Sequence, residues 1–349
     1  MTVNADTPTR FAFAPRDATR AVSRVPRVTT RGIQIALGCV WLLDGLLQFQ
    51  SYMYTHAFVT QVLAVNAAGQ PSFVGGPILT LTHLYGRDIA LWNTLAGLTQ
   101  CAIGLGLIAS ARTVRLALLA SFGWALTVWW FGEGFGMLLT GAPLSPLLGA
   151  PGAVLVYILI GLLVWPSSRR GERPAAAGGR LRGRGGRIVW SALWLEAAAL
   201  WLANVNRSAG AIHDQLLGAA ATAPHLIAGW QRSLATATQG HGATIALVLA
   251  LVSIAIAAGV WSSRLRVLTL AGASVLSLAY WVLGQNLGGP FWAGNATDVN
   301  TGPLLVLLAL ALLPAVTSPR APRRRRKDVR SVLDVGDQEM GAVLAGVRQ

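Results

Sequence analysis

Apolar residues in this chain come in blocks of about 15 to 25, without the alternation of a half-buried strand or the narrow stripe of an amphipathic surface helix. Runs of that length match the roughly 20 residues an α-helix needs to cross the hydrocarbon core of a bilayer. The pattern predicts helices near 33–51, 90–110, 116–136, 150–166, 188–205, 243–261, 267–287 and 301–316. Two long connections, 52–89 and 206–242, and two short Gly/Pro-rich ones, 137–149 and 288–300, lie between them. The expected fold class is all-α, a polytopic membrane helix bundle of eight transmembrane helices. Within the second long connection, 211–237 reads as helical and partly amphipathic, suited to lying on a membrane surface or capping a cavity.

Composition narrows the class. Hydrophobic residues make up 54% of the 349 residues and charged residues 12%, with a mean hydropathy of +0.54. A soluble globular chain carries roughly 25% charged residues, so a soluble enzyme, a disordered chain and a disulfide-stapled secreted domain are all excluded. The net charge of +15 is localised: 25 of the 28 basic residues fall in segments 1–31, 111–115, 167–187, 262–266 and 317–349. Basic residues concentrate on the cytoplasmic side of membrane proteins. Both termini are therefore expected in the cytoplasm, the long connections outside, and the chain in a bacterial-type plasma membrane. The first 31 residues lack the apolar core and cleavage site of a signal peptide, so the first helix is expected to remain as an anchor. Arg323–Arg324–Arg325–Arg326–Lys327 reads as a contact for anionic lipid headgroups, because no nucleic-acid-binding fold accompanies it. Cys39 and Cys101 fall inside helices without redox or metal spacing and read as packing residues.

The chain also reads as a duplication. At a constant offset of 152, Arg112 matches Arg264, Trp129 matches Trp281, Gly132 matches Gly284, Glu133 matches Gln285 and Gly136 matches Gly288. Upstream, Trp41-Leu42-Leu43-Asp44 is similar to Trp194-Leu195-Glu196, and the last helices end in Trp165-Pro166 and Leu313-Pro314. The expected organisation is a basic tail (1–31), a four-helix repeat (32–166), a Gly/Arg linker (167–187), a second four-helix repeat (188–316) and a basic tail (317–349). Because four is even, both repeats insert in the same orientation, related by an axis along the membrane normal.

The repeat unit resembles the DoxX/DoxD-like membrane family. The resemblance rests on a four-helix unit with a Gly near the outer end of its first helix and a Gly-spaced second helix (Gly97, Gly104, Gly106) that runs into a basic turn at Arg112. It covers 33–51 and 90–125, with a weaker copy in 188–205 and 243–275, about half of the chain. It implies a quinone- or thiol-linked redox or maturation setting with an extracytoplasmic redox partner. The tandem eight-helix arrangement departs from the single unit of that family, and no catalytic motif carries over.

Ionisable groups inside a membrane are costly, so each is a functional candidate. Asp44 shares one helical face with Gln48 and Tyr52, Glu196 lies near the middle of the fifth helix, and Glu133 lies in Gly132-Glu133-Gly134-Phe135-Gly136. With no Lys or Arg at comparable depth, each is a candidate proton-accepting or quinol-binding carboxyl, or else a neutral acid that locks helix packing. The Gly-rich stretches at 132–136 and 284–290 interrupt matching helices of the two repeats, which points to a binding site. We therefore expect an outward-opening site between the repeats, lined by Glu133, Gln285, Asn286, Trp129, Trp130 and Trp281. His56, His83, His213, His225 and His241 all fall in the long connections but show no metal spacing. Walker A, dinucleotide, HExxH and CxxC motifs are missing, as is a helix-embedded pair of haem ligands. Three functions fit: a quinone-binding or partner-docking redox subunit, a carrier for a small or proton-coupled solute, and a scaffold without chemistry.

Overall fold

A computed structural model describes residues 28–141, 144–166, 183–289 and 294–313. Most of both tails, residues 167–182 of the linker and the Arg323–Lys327 cluster lie outside these residues. The described chain is helical, with no strand. In order the helices are α1 Thr30–Leu47, the single turn α2 His56–Phe58, α3 Ser72–Arg87, α4 Ile89–Ala109, α5 Val114–Thr127, α6 Ala153–Leu163, α7 Arg184–Leu202, α8 Ala211–Ala220, α9 His225–Thr238, α10 Gly242–Gly259, α11 Arg266–Leu283 and α12 Thr301–Leu312.

Five segments are long and apolar enough to cross a membrane: Thr30–Leu47, Ile89–Ala109, Val114–Gly132, Gly242–Gly259 and Arg266–Leu283. Between 22% and 44% of each is buried by the rest of the chain, and large apolar side chains such as Leu116, Leu268 and Val275 point outward. Such a surface is costly in water and suits hydrocarbon. The fold suits a lipid-embedded, multi-pass protein.

The helices expected at 150–166 and 301–316 are shorter than anticipated. They cover Ala153–Leu163 and Thr301–Leu312, and 12 residues rise only about 18 Å at ~1.5 Å per residue. Helix α6 starts late because Pro146, Pro151 and the left-handed Gly149 and Gly152 occupy its approach. Helix α7 has the length to span, but Arg184, Arg187 and Glu196 keep it out of the apolar set. The connection 52–89 contains an unanticipated 16-residue helix, α3, which holds Pro77 in its interior. The amphipathic stretch 211–237 is two helices, α8 and α9, separated at Ala221–Pro224.

Helix α1 packs most extensively on α4, α7 on α10, and α11 on α12. The α1–α4 contact works because small residues let two backbones approach. A Cβ on Gly104 would come within 2.7 Å of the Gly38 carbonyl oxygen and the Leu42 amide, and one on Gly45 within 2.6 Å of Cys101 Sγ. Cys101 is thus the packing residue expected, whereas Cys39 is exposed on α1. Arg31 closes the same pair from one end, donating to the Leu107 carbonyl at 2.7 Å and satisfying a carbonyl of the last turn of α4. The α7–α10 contact uses side chains: the Ser191 hydroxyl donates to the Ala257 carbonyl at 2.7 Å and Trp190 Nε1 to that of Ile256 at 3.3 Å.

Gly104→Leu should therefore destabilise the bundle by about 1–3 kcal/mol, read as a lower thermal midpoint in detergent. Gly123→Leu, where a Cβ meets nothing within 4 Å, should leave the midpoint unchanged or higher. Equal losses in both variants would contradict the close approach of α1 and α4.

Candidate functional site

A cavity of about 180 Å³ lies among α1, α3, α4, α5, α6 and the segment that precedes α12. Three carboxyl groups reach it: Asp44 from α1, Glu133 from the end of the α5 segment, and Asp298. Gln48 and Gln100 add amides, and Tyr85 and Tyr157 add hydroxyls. The remaining wall is mainly apolar and aromatic, the usual character of a small-molecule site.

Asp44 is 3% exposed. Its Oδ2 accepts from the Tyr157 hydroxyl and the carboxyl faces the Val299 amide, while Oδ1 makes no hydrogen bond. Tyr157 is itself held against Trp41, with ring centroids 4.5 Å apart, and Trp41 Nε1 donates to Ser121 Oγ at 3.0 Å. One carboxyl oxygen is thus fixed by a supported phenol, and the other stays unsatisfied beside the cavity. Gln100 Oε1, Glu133 Oε2 and Trp124 Nε1 are also buried without a partner. Buried polar atoms normally find one; four residues that line this cavity each carry one that does not.

Asp298 arrives there because the end of α1 grips its segment. Gln50 Nε2 donates to the Ala296 carbonyl at 2.9 Å and Gln48 Nε2 to that of Thr297 at 3.4 Å. The Asp298 carboxylate accepts from the Asn300 amide and, at 3.1 Å, from the Thr297 hydroxyl. It lies within electrostatic reach of Asp44, Glu133 and Tyr157.

Glu133 closes a stretch of unusual backbone. Gly134, Phe135, Gly136 and Met137 all take positive φ, between 52° and 62°, and so do Asn286, Leu287, Gly288 and Gly289, between 49° and 75°. Left-handed backbone costs about 1–2 kcal/mol for each non-glycine residue, so Phe135, Met137, Asn286 and Leu287 are held there by their surroundings. In the first run, Asn66 Nδ2 donates to the Gly132 carbonyl at 2.6 Å and Gln70 Nε2 to that of Gly134 at 2.7 Å. Immediately before each run, a side chain meets the start of the following helix. Glu133 faces the Val154 amide at the start of α6. Gln285 Oε1 accepts from the Gly302 amide at 3.2 Å and the Thr301 hydroxyl at 3.1 Å at the start of α12. Gly152 must be glycine on two counts: its φ is 114°, and a Cβ would strike the Glu133 carboxylate.

No family model, curated protein or solved structure matches the chain. The site's chemistry rests on its geometry.

The residues singled out from sequence separate into two groups. Asp44, Gln48 and Glu133 converge on the cavity. The remainder lie elsewhere. Glu196 is half-buried on α7, and Tyr52 packs edge-on against Phe58. Trp129 and Trp130 gather around Phe135, at 4.9 Å and 5.4 Å between centroids. Trp281 Nε1 donates to the Val299 carbonyl at 2.8 Å. Gln285 and Asn286 are consumed by structural bonds, Asn286 to Gln231, Ala219 and Thr222. The cavity therefore belongs mainly to residues before 166, with Thr297 and Asp298 contributed by the segment that precedes α12. Sequence reasoning did not single out Gln100 or Tyr157, each a lone polar group in an apolar helix. Among the described residues no His, Cys, Asp or Glu cluster has the geometry to hold a metal. Of the histidines, His213 Nδ1 pairs with the Ala235 carbonyl at 2.9 Å, and His56 and His83 flank a surface groove with Arg87.

Burial pushes the Asp298 carboxyl above its ordinary 3.8, and the bonds from the Asn300 amide and the Thr297 hydroxyl bring it only partly back. Asp44, Glu133 and Tyr157 face it, and no cation does among the described lining residues. A group whose value rises on folding stabilises fully below its unfolded value and loses that stabilisation as pH rises through the folded one. Asp298→Asn keeps the shape and one acceptor oxygen but cannot ionise, so its thermal midpoint should fall less than the wild type's as pH is raised from 4. Parallel curves for the two proteins would contradict the burial of this carboxyl.

Proposed function

We propose that this chain is a multi-pass membrane protein of two tandem four-helix units, and that its cavity binds a small molecule with protons passing to or from Asp44, Glu133 and Asp298. The observation that carries the binding reading is the unpartnered Asp44 Oδ1 beside the cavity, with Oδ2 pinned by Tyr157. A rigidly held carboxyl with one free oxygen is poised to accept a ligand's proton or hydrogen bond.

Support for the tandem reading comes from equivalences beyond sequence. The two left-handed runs, 134–137 and 286–289, are separated by the offset of 152 found in the sequence. The capping partners Val154 and Gly302, and the residues before their helices, Gly152 and Asn300, share a second offset of 148. The tight packing of α1 on α4 and of α7 on α10 has the same order in each half. In this reading Glu133 and Gln285 occupy one position, and only the first half keeps it acidic.

The DoxX-like resemblance favours a quinone- or thiol-linked setting. There the ligand is a quinol, whose two hydroxyl protons pass to the carboxyls while its two electrons go to an extracytoplasmic redox partner. A proton-coupled carrier is the second reading, favoured by the backbone breaks at matching positions of the two halves. Both place the long connections outside and both termini in the cytoplasm.

Two measurements test this. Reporter fusions should place residues 175 and 340 in the cytoplasm and residues 70 and 225 outside; one on the wrong side overturns the eight-span topology. A panel of one-ring quinols, alcohols, acids and amines should contain a compound that raises the thermal midpoint of the protein in nanodiscs by several degrees. That rise should depend on pH and vanish in Asp44→Asn and Tyr157→Phe. A panel without such a compound, or one whose effect survives both substitutions, overturns the site.

A further inference from the structure

Resting on that site, we propose that its ligand is an organic cation with a single-ring apolar body, such as an arylalkyl ammonium. Three acids line the cavity and no Lys, Arg or His does among the described lining residues. Its buried atoms without partners are three acceptors, Asp44 Oδ1, Gln100 Oε1 and Glu133 Oε2, against one donor, Trp124 Nε1. Asp44 and Gln100 are each more than nine-tenths buried, so water does not meet their needs from bulk.

Each ligand class fares differently against that surface. An anion is repelled by the acids, and a carbonyl-rich molecule sets acceptor against acceptor. A metal ion finds no cluster of ligands close enough to hold it among the described residues. A quinol supplies two donors but no charge. An ammonium supplies up to three donors and the missing positive charge, and its binding displaces protons from the carboxyls. The walls fit such a body: Trp41, Phe58, Tyr85, Trp124, Phe131 and Tyr157 contribute six aromatic rings, and aromatic faces attract a desolvated cation. A volume of about 180 Å³ exceeds the ~150 Å³ that admits a benzene ring, leaving room for an aminomethyl group.

The test uses the full chain in nanodiscs and four one-ring probes: benzylamine, benzyl alcohol, benzoate and hydroquinone. Benzylamine should bind at least tenfold more tightly than benzyl alcohol, and benzoate should not bind. Its affinity should rise between pH 5 and pH 8, as protons cease to compete for the carboxyls, and should fall at least tenfold in Asp44→Asn. Glu133→Gln, which installs the residue found at the matching position 285, gives a second variant with the same expected loss should Asp44→Asn fail to fold. Benzyl alcohol or hydroquinone binding as tightly as benzylamine overturns the cation and leaves the proton-linked site standing. Binding of none of the four overturns both.

Discussion

A carboxyl group buried in a helix bundle has to be met by donors, and the meeting of Asp44 with Tyr157 organises the first half of this chain. Helix α1 cannot place Asp44 there unless it lies close to α4, which the glycines of both helices permit. Tyr157 cannot reach it unless α6 starts where it does, at Ala153, after the turn built by Gly149 and Gly152. Trp41 and Ser121 then hold the phenol from behind. The contact that ties α1 to α6 thus leaves Oδ1 without a hydrogen bond, in a residue that lines the cavity.

On the tandem reading, the second half treats the same positions differently. Where Glu133 faces the start of α6, Gln285 caps the start of α12 and spends its side-chain oxygen on two donors. The amide satisfies the helix terminus without bringing charge, so this position of the second half holds structure alone. The second half reaches the cavity through Asp298, presented by a segment clasped to the end of α1 by Gln48 and Gln50. On the tandem reading, one unit kept the chemistry and the other became its support, and the acid cluster exists only because both are present in one chain.

Much of this was legible in the sequence, for identifiable reasons. Long apolar blocks located helices at all eight expected places, and five segments are long and apolar enough to cross a membrane. Asp44, Gln48 and Glu133 stood out because polar groups at such depth need a purpose. Helix α3 was missed because Gly75, Gly76 and Pro77 carry the signals of a turn, and its remaining contacts decide otherwise. A site between the repeats was expected from the glycine-rich interruptions. The first interruption does reach the cavity through Gly132 and Glu133, whereas in the second Gln285 and Asn286 are spent on structural bonds. Tyr157 and Gln100 gave no local signal, since one polar residue in an apolar run looks like packing until its partner, 113 residues away for Tyr157, is known.

The central claim is that this cavity is an occupied ligand site in the working protein. A high-resolution density map of the full chain in native lipid nanodiscs tests it most directly. Compact, ring-sized density is expected within hydrogen-bonding distance of Asp44 Oδ1 and Gln100 Oε1, with Tyr157 still donating to Asp44 Oδ2. A collapsed cavity, with Asp44 Oδ1 accepting from a protein donor or an acyl chain filling the space, would contradict it.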